Sequence, residues 1–191
     1  AMFGLDARIA LAIFGALSVI SGAALYSAIQ KAKITQIIVT HQEVSKAVEQ
    51  YLLDVGLDLP VHSTALTNVK AYELVENNES ANGWKGPYWS SGVALYELKD
   101  ISVGKYLHSF IKKAKSDSTW FLPTNVDACD GSGDCYYWIE TNCYQDAVVK
   151  ALDLEIDGVD GASVGDFRYA ACSTASDGYK VYHKTIRTLN Q

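Results

Sequence analysis

Proline is scarce in this chain, with three residues in 191, at positions 60, 87 and 123. An interior proline removes a backbone donor and clashes with the turn before it, so its absence from the first 59 residues permits one unbroken helix there. Charge is scarce over the same stretch. Residues 1–26 carry only Asp6 and Arg8, and residues 27–56 carry three basic and three acidic side chains. The net charge of −6 therefore belongs to residues 57–191, which hold 12 basic and 18 acidic residues. A nucleic-acid groove is not expected from such a balance, because phosphate binding is driven by clustered Lys and Arg. No C-x-x-C pair, phosphate-cradling glycine loop, repeat or low-complexity segment occurs. His62, His108 and His183 show neither metal spacing nor an adjacent nucleophile motif, so no enzymatic activity is expected.

Cysteine is missing from the first 128 residues and then appears four times, at Cys129, Cys135, Cys143 and Cys172. An even number confined to one region reads as two disulfides rather than a zinc site. Four cysteines permit three connectivities. The expected one joins Cys129 to Cys135 around the small loop DGSGD and Cys143 to Cys172 across the C-terminal region. Disulfides persist outside the reducing cytosol, which places this part of the chain in a periplasm or beyond a cell surface.

What the N-terminus does contain is a long apolar run. Ile9–Tyr26 (IALAIFGALSVISGAALY) is eighteen residues without a charge, at the lower edge of what spans a hydrocarbon core of about 30 Å as a helix. A cleaved signal peptide is the rival reading, but no strongly basic region precedes the run and no small-residue cleavage site follows it. Instead the run continues into SAIQKAKITQIIVTHQEVSKAVEQYLL. There Ile34, Ile37, Ile38, His41, Val44, Val48, Tyr51 and Leu52 recur at three- and four-residue steps, the mark of an amphipathic helix. His41 sits on that stripe and is expected as a core or interface residue. The helix should break at Asp54-Val-Gly56. Three segments follow: an apolar helix over 1–27, an amphipathic half of the same helix over 28–56, and a globular head over 57–191.

Asp6 and Arg8 stand at the mouth of the apolar run. A carboxylate there is costly in lipid and calls for a partner, whereas Arg8 can snorkel to the interface. The segment MFGLDARIALAIFGALSVISGAALYSAIQ resembles the N-terminal signature of type IV pilins and type II secretion pseudopilins. The resemblance implies an α+β fold, in which a long N-terminal helix packs on the antiparallel sheet of a globular head. It implies a leader removed by a prepilin peptidase, an N-methylated first residue and an inner-membrane assembly platform. It further implies a subunit held in the bacterial inner membrane before assembly, with itself as partner in a helical homopolymer. In the family an acidic residue neutralises the N-terminal amine of the neighbouring subunit, a role that falls to Asp6. Assembly would thus involve Ala1 or Met2, whichever is the mature terminus, together with Asp6 and Arg8. The family usually has Glu at this place, in fifth position. Asp6 is fifth only if Met2 is the terminus. Many members also carry a proline in the apolar segment. Here Gly15 and the Ser21-Gly22 pair are the candidates for a weak point or for close helix–helix packing.

In the head, NGWKGPYW (82–89) resembles a turn that precedes the sheet in many members of this family, with three aromatics covering the sheet. Residues 64–80 are expected as a short helix, Gly92–Leu98 as a strand and Lys105–Lys115 as helical by its apolar spacing. Tyr136–Thr141 reads as a central strand, Asp146–Ile156 as a helix, GDFRY (165–169) as a strand and Gly178–Thr188 as the last strand. Two acidic loops, with Asp127, Asp130 and Asp134 and with Asp157, Asp160 and Asp166, raise calcium as a possible cofactor, since hard cations gather oxygens and some pseudopilins bind calcium in such a loop. The plain alternative is a solvated Asp-Gly turn, and no cofactor is then needed. The function expected is a structural pilus subunit, a major pilin exported to an extracellular filament. The alternatives are a minor pilin, a periplasmic pseudopilin serving secretion, and a single-pass anchored binding domain. Motility, adhesion, DNA uptake and secretion are not distinguished by these residues.

Overall fold

The computed structural model describes residues 3–63, 67–94, 97–99, 109–118, 120, 128–131, 133–158, 161–172 and 178–190. Its first element, α1, runs without a break over Phe3–Val55. The chain divides into two compact units, Ala1–Gln36 and Ile37–Gln191, and α1 contributes to both.

Within the second unit the fold is α+β. A six-stranded antiparallel sheet has the order β1-β2-β3-β4-β6-β5, from Val93–Ala94, Glu97–Leu98, Ser109–Lys115, Cys135–Tyr144, Phe167–Ala171 and Tyr179–Arg187. The last turns of α1 lie on this sheet. Most of the predicted stripe is buried: Ile34, Ile37, His41, Val44, Val48, Tyr51 and Leu52 are, and Ala47 joins them, whereas Ile38 is only partly covered. Val44, Val48, Tyr51 and Leu52 form one cluster with Leu59, Val69, Leu74, Leu98, Ile111, Tyr137 and Ile139. Burying each large side chain contributes about 1.5–3 kcal/mol, so this contact is a substantial source of the head's stability.

The helix stops where expected. Gly56 adopts φ +71°, the left-handed conformation glycine takes most readily, and its N–H reaches the Leu52 carbonyl at 2.9 Å. The 82–89 segment then returns beneath the helix end. A Cβ on Gly83 would lie 2.4 Å from the Asp54 carbonyl oxygen, so only glycine fits that approach. Trp84, Tyr88 and Trp89 pack against the main cluster, as the turn motif suggested.

The strands β4 and β6 and the helix α2 (Asp146–Ile156) match the sequence reading, as does β5 within its segment. Three expectations are corrected. Ser109–Lys115 is a strand, not helix, because its seven residues pair with β4 from Ser109↔Thr141 to Lys115↔Cys135; residues 101–108 lie outside the described set. The described residues of 64–80 hold no α-helix but a single 3-10 turn, Ala71–Leu74, with 64–66 outside the described set. The backbone before that turn is committed elsewhere: Val69 N–H bonds the Ile111 carbonyl and Lys70 N–H that of Pro60. The described residues of Gly92–Leu98 form two short antiparallel strands rather than one, with Val93 opposite Leu98.

Candidate functional site

The apolar stem is the feature with most to explain. From Ile9 to Gln30 no charged residue occurs, which is 22 residues or about 33 Å of helix. An 18-residue window of α1 reaches a mean hydropathy of 2.1 with 0 % of it buried. Leu11, Phe14 and Val19 are each more than 70 % exposed, and Ile9, Ile13, Leu17, Ile20, Leu25 and Tyr26 more than half. These positions fall on every face of the helix. A helix of that length and apolarity could span a membrane.

Asp6 lies in the first turn of α1, where the helix dipole favours a negative charge. It is exposed, and among the described residues it forms no ion pair. Arg8 is close in sequence but two residues away, about 200° around the helix, so the two do not face each other. Ala1 and Met2 lie outside the described residues. Of the assembly residues, then, only Asp6 and Arg8 are described, and these two do not face each other.

The stem glycines make no close approach to other described parts of the chain. A Cβ added at Gly15 or Gly22 would meet nothing within 4 Å, and the same holds at Gly4. Each costs about 1 kcal/mol relative to Ala in a helix interior. At 100° per residue Gly4, Gly15 and Gly22 fall within about 20° of one another, on a single line along the stem. Sequence reasoning missed Gly4; the spacing of eleven and then seven residues is the signal that finds it. Ser21 stands beside this line and is exposed.

In the head, the cysteines pair as Cys129–Cys135 and Cys143–Cys172. The acidic loops are tied to the chain's own groups. Asp157 accepts the Phe167 N–H at 2.6 Å, and Asp166 pairs with Lys184 at 2.5 Å. Asp130 pairs with Lys115 at 3.1 Å, and Asp134 with Arg187. Asp127 and Asp160 lie outside the described residues. Among the described residues no three His, Cys, Asp or Glu side chains converge to hold a metal ion.

Two polar centres were not legible. Asp58 is nearly buried and accepts from Lys113 Nζ, the Tyr137 hydroxyl, and the backbone N–H groups of Leu189 and Asn190. Burial pushes its carboxyl up, but the Lys113 and backbone hydrogen bonds outweigh it and hold the group below the usual carboxylate range. Arg168, also buried, donates to the Ser116 and Ser118 carbonyls at 2.7 and 2.6 Å and lies over the Trp138 ring. It anchors the 116–118 turn to β5. A groove of about 530 Å³ runs between α1 and residues 87–91, lined by Thr40, Glu43, Gln50, Tyr88 and Trp89. It opens to solvent, and the Tyr88 hydroxyl is engaged by Asp54 at 3.1 Å, with burial the main cause that raises its pKa; this is no activated nucleophile.

No family model, curated protein or solved structure matches the chain.

Proposed function

We propose that this chain is a structural subunit that polymerises through its N-terminal helix into a type IV pilus, as a major pilin. One observation carries the reading: a charge-free stem, apolar on all faces and opened by an acidic residue without an ion-pair partner among the described residues, continues as a helix whose far end is part of a sheet-based head. Before assembly the stem lies in the inner membrane, where about 33 Å of apolar helix suits a hydrocarbon core of about 30 Å. On assembly it exchanges lipid for neighbouring stems. The mature N-terminal amine of a neighbour then supplies the counter-charge to Asp6, and the glycine line permits close approach of a second helix. Prepilin peptidase and an assembly platform are the further partners, and the destination is the cell exterior. No catalytic step, metal or nucleic acid enters this account. Electron microscopy of material sheared from cells with and without the gene tests it: thin fibres containing this protein should vanish on deletion.

The length of the stem also favours a second reading, a single-pass anchor for a binding domain. That reading predicts a detergent-extracted monomer and no fibre under any condition. A deletion that leaves no fibre to lose but blocks export of other proteins would point to a pseudopilin instead.

A further inference from the structure

We propose that His41 and His183 form an acid-operated latch, in which entry of a proton into the pair releases the Ile37–His41 turn of α1 from strands β5 and β6. His41 is 1 % exposed, and its Nδ1 lies 3.2 Å from Nδ1 of His183, 142 positions away in the chain. The ring centroids are 5.3 Å apart with the planes tilted by 42°. At that separation the neutral pair is satisfied by one proton shared between two nitrogens, one ring donating and the other accepting. His41 Nε2 is buried without a partner. A further proton at the contact sets two N–H donors against each other. One taken at the outer nitrogen of His41 leaves a buried cation without a partner.

Among the described residues no carboxylate makes a hydrogen bond or ion pair with either ring. On α1 the turns either side present Ile37 and Val44. Strand β4 sets Ile139 opposite His183, and β5 sets Phe167 there, its ring 6.4 Å away. Asp166 is the one carboxylate that acts on His183. It precedes Phe167 by one residue, on the alternate face of the sheet, and is held by Lys184. The buried acid of α2, Asp153, acts on Tyr169. Burial accordingly drives His41 down to about 3, with the neighbouring His183 adding to the effect. Burial likewise drives His183 down to about 4, partly offset by Asp166.

The sign follows directly. Both rings bind protons more weakly when the turn is closed than when it is open, where 6.5 applies. The closed turn has its full stability above pH 6.5 and loses it as the pH falls toward 4. The remainder of the helix contact, from Val44 to Leu52, carries no such group and should stay closed.

The test is hydrogen exchange, read as protection factors by mass spectrometry, on the full chain in detergent micelles at pH 7.5 and pH 5. Peptides covering residues 37–43 should lose protection at least about tenfold at pH 5, while those covering 46–55 hold theirs. The double variant His41→Asn, His183→Phe should abolish the loss. Equal protection at both pH values in the natural chain would overturn the latch, and so would a loss that persists in the variant. Carbon-detected histidine titration of the natural chain gives a check that does not depend on the variant folding. Two histidines should titrate well below the free value of 6.5, and four titrations near 6.5 would overturn the proposal. So would loss of protection at pH 7.5 on adding a chelator, since the imidazoles would then be ligands of a metal ion.

Discussion

The hydroxyl of Tyr137 donates to Asp58 at 3.0 Å and accepts the Leu59 N–H at 2.9 Å, so one side chain of the central strand closes the loop that follows α1. Asp58 adds Lys113 at 2.8 Å and two backbone donors from the C-terminus, Leu189 and Asn190, both at 2.9 Å. Helix end, sheet centre and chain end thus meet on one carboxylate. Removing it strands a nearly buried ammonium and a fully buried phenol. Asp58→Ala should cost about 3 kcal/mol, and Tyr137→Phe about 1–2 kcal/mol. A thermal melt of the head should fall by about 6–12 °C for the first variant. Because the folded carboxyl is held below its unfolded value of 3.8, its stabilisation is present above that pH and fades as the pH falls through the lowered value. In Asp58→Ala the melting temperature should therefore depend less on pH below about 4 than in the natural chain.

The two disulfides should be unequal. Cys143–Cys172 spans 29 positions and ties the end of β4 to the residue after β5, whereas Cys129–Cys135 closes a loop of six. In the chain-entropy account the larger loop is worth about 3.6 kcal/mol and the smaller about 2.2 kcal/mol. Paired serine substitutions, melted side by side, should show the greater loss for Cys143 and Cys172. Equal losses would mean that contacts made by the 129–135 loop itself, rather than chain entropy, set its contribution.

Legibility followed the range of the interactions. The long helix could be read because its determinants are local: no proline, an apolar run, a stripe from Ile37 to Leu52 and a terminal Gly56. The strand β4 and helix α2 carried equally local signals. Ser109–Lys115 could not be read correctly, since Phe110, Ile111 and Ala114 suit a helix as well as a strand. Pairing with β4, ion pairs from Lys112 to Glu140 and from Lys113 to Asp58, and burial of Ile111 and Ala114 decide the matter. The His41–His183 contact and the convergence on Asp58 join residues more than 50 positions apart, and no spacing in one sequence reports such meetings. For the stem the situation is reversed. Its sequence pattern is plain, while the groups it would meet belong to other molecules.

The glycine line gives a prediction with opposite signs for monomer and polymer. Ala at Gly15 or Gly22 should raise the stability of the isolated helix by about 1 kcal/mol, because no side chain or backbone of the chain itself opposes the new methyl. If a second helix packs there, a larger side chain holds it away. Gly15→Leu and Gly22→Leu should leave the head's melting unchanged and the chain membrane-inserted, yet reduce the fibre yield at least about tenfold. Exposed Ser21, off the line, is the control: Ser21→Leu should have a smaller effect. Equal fibre yield from all three variants would remove helix packing as the reason for the glycines.

Asp6 provides the sharpest test of assembly, because its charge has no ion-pair partner among the described residues and its removal disturbs no ion pair there. The exposed carboxylate in the first turn contributes about 0.3–1 kcal/mol to the helix through the dipole, too little to unfold a stem of this length. Asp6→Ala should therefore accumulate in the membrane with a head that melts normally, while sheared material contains no fibres. Asp6→Asn separates charge from shape: it keeps the size and the capacity to accept hydrogen bonds, but not the attraction for an amine. If Asn fails as Ala does and Glu restores fibres in part, the charge is the operative property. If Asn assembles normally, the carboxylate is not what draws a neighbouring terminus, and the positional role of Asp6 falls while the apolar stem keeps its own.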